Sequence, residues 1–213
     1  MDNLEIIKKD YELKKQRITQ RLNEFKGTLD KSDLDIFEEL VFCILTANTS
    51  AKMALNSIQS IRPHLLNGTK EQLSEALKGK YIYWNIRPKY ITETRDYLKK
   101  EFNFKLRDKI ISFKDKQDLR DFFAQNKNIK GIGYKESSHF LRNIGIKGYA
   151  ILDKHIINTL HENKIIPTPK RPANKAQYLE LEQKYFEFAN LLKIDPDELD
   201  LLLWSRKNGQ ILK

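Results

Sequence analysis

The stretch "GIGYK" at 131–135 sets Lys135 directly behind a Gly-x-Gly turn, and Asp153 follows eighteen residues later in "ILDKH". An amine and a carboxylate can work together at a sugar carbon. The amine attacks C1′, and the carboxylate stabilises the positive charge that builds on the sugar and helps shuttle protons. An amine at the start of a helix, beside other cations and partly desolvated, has its ammonium form disfavoured and is a better nucleophile. Each residue also has a plainer use. The turn serves equally as a phosphate cradle or a simple helix start, and an aspartate ahead of "KHIINTL" serves as an N-cap, a role compatible with catalysis.

Two glycine-rich signatures fail on this stretch. A dinucleotide fingerprint needs a third glycine and a preceding strand, and a nucleotide-binding P-loop needs four residues between its glycines followed by Lys-Ser/Thr. A helix-hairpin-helix remains. Its small residues let the turn approach a DNA backbone, so that amides around Gly131 and Gly133 can donate to phosphate oxygens with help from the helix dipole.

The elements that must position these residues are helices. Gly and Pro number only 8 and 6, and apolar residues recur at three- and four-residue spacing. Leu4, Ile7, Tyr11, Leu13, Ile18, Leu22 and Phe25 predict an amphipathic helix closed near Gly27. "SDLD" at 32–35 is a capping signal for the apolar helix "IFEELVFCILTA", which must be central. Helices are also predicted from about Ser50 to Ile61, over "KEQLSEAL" and from Pro88; the run "KDKQDLRDFFAQNKNIK" leads into the hairpin, and "KESSHFLRNIG" leaves it. "ILDKHIINTLHEN", "KAQYLELEQKYFEFANLLK" and "DPDELDLLLWSRKNG" complete an all-α chain with no strand. We expect two helical subdomains, residues 33–149 ending in the hairpin and residues 1–32 plus 150–213, with the active cleft between them.

Composition bounds the function. The 213 residues can bury a core unaided. A balance of 39 Lys+Arg to 29 Asp+Glu, net +10, fits a partner rich in phosphate. One cysteine, Cys43 in "LVFCIL", excludes an internal disulfide and a four-cysteine metal site. Neither a signal peptide nor a membrane span is visible, so a cytoplasmic protein is expected.

The pairing of "GIGYKESSHFLRNIG" with "AILDKHI" resembles the helix-hairpin-helix Gly/Pro-Asp superfamily of DNA glycosylases, whose bifunctional members carry a hairpin lysine as Schiff-base nucleophile and an aspartate after it. Lys135 and Asp153 match those positions. Lys130 stands where many members have proline, which should alter hairpin stiffness more than chemistry. The lack of a four-cysteine cluster argues against the iron-sulfur branch, and the short chain against the larger eukaryotic type. The compact archaeal and bacterial class of 8-oxoguanine DNA glycosylase/lyase remains, and "LLLWSRKNGQILK" resembles its ending.

The resemblance implies excision of 8-oxoguanine from double-stranded DNA, cleavage at abasic sites by β-elimination, a nucleoid-associated monomer, and no cofactor beyond a possible monovalent cation at the hairpin. It implies that the Lys213 carboxylate meets the N7–H that distinguishes the oxidised base, while Trp204 offers a face for stacking. For Trp204 a core role competes, and for Lys213 a frayed terminus. Asn48 aligns with the residue that fills the hole left by the flipped base, though it could instead cap the helix from Ser50. In "YIYWNIRPKY", Arg87 and Lys89 are candidates to grip phosphates, against a packing role for the loop; His155 is expected to orient the helix behind Asp153. Other readings are an endonuclease III-like enzyme for other oxidised bases and a non-catalytic DNA-binding module.

Overall fold

The computed structural model describes residues Asn3–Ile211. They form eleven α-helices: α1 (Asn3–Lys26), α2 (Asp33–Thr46), α3 (Ala51–Ile61), α4 (Lys70–Leu77), α5 (Arg87–Phe102), α6 (Leu106–Ile111), α7 (Lys116–Ala124), α8 (Tyr134–Asn143), α9 (Lys154–Glu162), α10 (Lys175–Leu192) and α11 (Pro196–Asn208). No strand occurs among the described residues, as the periodicity predicts. None of the described helices is long and apolar enough to cross a membrane.

The chain divides into two compact units, one from Thr28 to Phe140 and the other from the two ends, up to Gly27 and from Leu141 onward. The expected division is residues 33–149 against 1–32 plus 150–213; the second border found here falls inside α8. The reason is in the side chains. Phe140 packs its ring edge-on to Phe123 of α7 at 4.8 Å, whereas Arg142 lies over the Phe25 ring of α1 at 4.9 Å and pairs with buried Asp200 of α11 at 3.4 Å. Gly145 ends α8 at φ +86°, so close to α1 that a Cβ would come within 2.6 Å of the Lys26 Cα. A side chain there would push the two backbones apart.

In the Thr28–Phe140 unit α2 is the hub. Its residues Ile36, Phe37 and Leu40 to Leu45 are buried, as expected for a helix that is apolar on all sides. It packs on α3, α5 and α6. Its start is fixed by a capping box in which the Ser32 hydroxyl accepts from the Asp35 amide while the Asp35 carboxylate accepts from the Ser32 amide. The short α6 has no side-chain cap; the Arg107 amide instead donates to Asp33 Oδ1 at 2.7 Å and its guanidinium to the Leu29 carbonyl at 2.8 Å.

In the other unit α11 packs on α1, α9 and α10. Its first turn is held by Asp195 as N-cap and by the Tyr185 hydroxyl, which donates to the Pro196 carbonyl at 2.6 Å. Burial pushes the Tyr185 hydroxyl well above its ordinary pKa.

Ser32→Ala should lower stability by about 1 kcal/mol at neutral pH, because α2 loses its cap. The Ser32 hydroxyl, through its hydrogen bond, holds Asp35 below the ordinary value of 3.8. A carboxylate with a depressed folded-state pKa contributes stability above its unfolded value, and that contribution is lost as pH falls through the folded value. The gap between the urea midpoints of wild type and Ser32→Ala should therefore narrow below pH 3.8, leaving the part owed to the Asp35 amide, which does not titrate.

Candidate active site

The hairpin before Lys135 is built by close approach to α5. Gly131 has φ +79°, and a Cβ on it would lie 2.7 Å from the Tyr90 ring and 2.8 Å from Arg87 Nη1. Only glycine meets both demands. Lys130 is informative too: its amide donates to Oγ1 of buried Thr94 at 2.9 Å, a bond that proline could not make. The residue that departs from the usual proline therefore brings a compensating tether to α5.

α8 begins at the hairpin's far side. The Gly133 carbonyl accepts from the Ser137 amide at 2.9 Å, and the Gly133 amide donates to Glu136 Oε2 at 3.2 Å, so glycine stands at the cap and glutamate closes it. Tyr134 is clamped to α7: its hydroxyl donates to Asp121 Oδ1 at 2.6 Å and accepts from the Gln125 amide group, while the guanidinium of fully buried Arg120 lies 5.5 Å from its ring centre. Lys135 follows on this fixed first turn with its side chain 27% exposed, and Nζ lies 3.7 Å from Glu136 Oε1. The Glu136 carboxylate thus serves a hairpin amide with one oxygen and the lysine amine with the other. Tyr134 and Glu136 were not singled out from the sequence, although Glu136 sits at the third position of the helix, where a capping box puts its carboxylate.

Arg87 is turned into the fold. It is 8% exposed, and its guanidinium lies near the Tyr83 and Tyr90 rings, at 5.5 and 5.4 Å. It donates to the Ala47 carbonyl at 2.9 Å and to the Gly131 carbonyl at 3.4 Å, tying the end of α2 to the hairpin. Lys89 is exposed and lies 3.8 Å from the Glu93 carboxylate. Asn48, next to Ala47, is exposed and left-handed at φ 64°. The cap of α3 is Ser50, whose hydroxyl accepts from the Met53 amide, so Asn48 is not that cap.

In the unit built from the chain ends, Asp153 is the N-cap of α9. Its Oδ1 accepts from the His155 and Ile156 amides, each at 2.8 Å. The stretch leading to it is pinned by α10: the Ala150 amide donates to buried Glu182 at 2.8 Å, and the Tyr178 hydroxyl donates to the Ala150 carbonyl at 2.7 Å. These two residues, one helical turn apart on α10, also went unremarked in the sequence. Trp204 of α11 is half-buried; its indole N–H donates to Asp153 Oδ2 at 2.6 Å, and its ring lies edge-on to His155 with centroids 6.5 Å apart. Trp204 is thus neither a simple core residue nor a free platform. Lys213 lies outside the described residues.

Helices flanking a Gly-x-Gly hairpin, with a lysine in the next helix's first turn, define a helix-hairpin-helix protein. The chain belongs to the helix-hairpin-helix family of 8-oxoguanine DNA glycosylases, whose pattern matches residues 18–194. An 8-oxoguanine DNA glycosylase/AP lyase of Thermoplasma volcanium is 39% identical over 198 residues, 92% of this chain and 91% of that protein. The Methanocaldococcus jannaschii 8-oxoguanine glycosylase/lyase, solved in complex with a 15-mer DNA containing 8-oxoguanine, aligns with a TM-score of 0.87 at 36% identity over 98% of this chain and 99% of that one. The 8-oxoguanine DNA glycosylase of Thermotoga maritima gives 0.84 at 32% identity, covering 99% and 98%.

The contrast between Arg87 and Lys89 is measurable. Arg87→Met removes a donor from two carbonyls and should cost about 1–3 kcal/mol in urea unfolding. Lys89→Met, on an exposed side chain, should change stability by less than about 0.5 kcal/mol. Equal losses would show that the guanidinium is not the tie between α2 and the hairpin.

Proposed function

We propose that Lys135 is the nucleophile and Asp153 the charge-stabilising carboxylate of a bifunctional enzyme that excises 8-oxoguanine from duplex DNA and then nicks the strand. The observation that carries this reading is the partly exposed Lys135 amine on the first turn of α8, fixed by the hairpin and by Tyr134, in a chain of this family.

The neutral amine attacks C1′ as the C1′–N9 bond breaks, and the base leaves with the electron pair and takes up a proton. Positive charge on the sugar is met by the Asp153 carboxylate. Opening of the ring gives a Schiff base between Nζ and C1′. Loss of a C2′ proton then expels the 3′ phosphate, so the strand breaks on the 3′ side of the lesion. Glu136, 3.7 Å from Nζ, offers an acceptor for the proton that Lys135 must shed before attack. No organic cofactor or catalytic metal enters this sequence; a monovalent cation on the hairpin carbonyls would support binding.

The duplex is held by hairpin amides and exposed lysines such as Lys89, with the net charge of +10 favouring encounter. A phosphate reaching Gly133 competes with the Glu136 carboxylate for the same N–H. Asn48, exposed on its left-handed turn, fills the space left by the extruded base. Acting on chromosomal DNA, the enzyme works in the cytoplasm in association with the nucleoid.

Borohydride should trap the protein covalently on duplex DNA containing 8-oxoguanine, and Lys135→Gln should abolish the adduct while leaving DNA affinity within about threefold. Persistent trapping in that variant removes Lys135 as nucleophile. Asp153→Asn should bind DNA but lose roughly 100-fold or more in excision; undiminished excision would reduce Asp153 to a helix cap.

A further inference from the structure

Asp153 makes more bonds than a helix cap requires. An ionised carboxylate offers about four lone-pair sites. Two of them, both on Oδ1, are taken by the His155 and Ile156 amides, and a third, on Oδ2, by the Trp204 indole at 2.6 Å. The site left uncommitted by these three bonds is on Oδ2. Its direction is set by where the indole stands, because a carboxylate held only through Oδ1 can still swing its other oxygen. The indole is fixed in turn by its place on α11 and by the edge contact with His155.

We propose that Trp204 is a positioning residue for the Asp153 carboxylate, its N–H aiming the remaining lone pair of Oδ2 at the sugar while its ring face receives the base. One side chain then connects the fit of the base to the alignment of the group that stabilises the departing sugar. A base that pushes the ring out of place turns the carboxylate as well, so selectivity appears in the rate of bond breaking and not in binding alone. This inference rests on the reading of Asp153 as the carboxylate that faces C1′.

The test separates stacking from aiming. Trp204→Phe keeps an aromatic face and removes the N–H. With protein in excess over 8-oxoguanine duplex, it should bind within about threefold of wild type, yet its single-turnover excision rate should fall about 10- to 100-fold, the range for losing one hydrogen bond to a charged group. In an Asp153→Asn background the same change should alter the rate by less than about threefold, because the acceptor it serves has gone. A single-turnover rate within threefold of wild type, or an equal loss in both backgrounds, overturns the proposal.

Should Trp204→Phe not fold, benzothienylalanine incorporated at position 204 keeps the bicyclic shape with sulfur in place of N–H, and the same outcomes decide. The underlying reading fails separately. If Asp153→Asn alone excises at the wild-type rate, Asp153 is not the catalytic carboxylate and the aiming role falls with it.

Discussion

The backbone at residue 131 lies so close to α5 that no side chain fits there. A Cβ at Gly131 would intrude on both Tyr90 and Arg87, and its φ of +79° is one that other residues rarely adopt. This close approach is what gives the hairpin a single position. It lets Thr94 reach the Lys130 amide and lets Arg87 span from the hairpin to the Ala47 carbonyl. The direction in which α8 sets out, and with it the place of the Lys135 amine, follows from a contact that involves no catalytic atom. For the Schiff-base role proposed for Lys135, such rigidity would establish order in the reacting pair before substrate arrives.

If Asp153 is the proposed charge-stabilising carboxylate, it serves the fold and the reaction together. A cap satisfies amides at the start of α9 that would otherwise lack partners, and it uses one oxygen to do so. The second oxygen accepts from the Trp204 indole N–H. The unusual feature is the support behind it, where Glu182 and Tyr178 fix the backbone at Ala150 from α10. These bonds are buried, and a buried polar network that is well satisfied specifies one arrangement more sharply than apolar packing does.

How much of this was legible in the sequence depended on distance along the chain. Local signals were dependable: the Ser32 box, the Asp195 cap with Pro196 and the Ser50 start appear where their residue types predict. α6 escaped notice because its six residues have no side-chain cap and follow two left-handed residues, Asn103 and Phe104. α7 stops at Ala124, short of the hairpin, where the Asn126 side chain donates to the Tyr97 hydroxyl and accepts from the Asn128 amide. For Arg87 the packing alternative is the one the structure displays, with the guanidinium enclosed between tyrosines four residues before and three after it. The Trp204 bond to Asp153 joins residues 51 apart, and no spacing rule reaches that far. The family resemblance supplied Lys135 and Asp153 as a pair, which periodicity alone could not do.

The division of the chain also bears on how the molecule is made. The unit from Thr28 to Phe140 is continuous, so it is complete as soon as those residues leave the ribosome. α1 precedes this unit in the chain, yet the helix that covers it, α11, begins only at Pro196. Until α11 is made, the stripe formed by Ile7, Ile18, Leu22 and Phe25 lacks that cover. α1 therefore joins α11 only after the whole intervening unit has been made, and its burial depends on a contact across most of the chain.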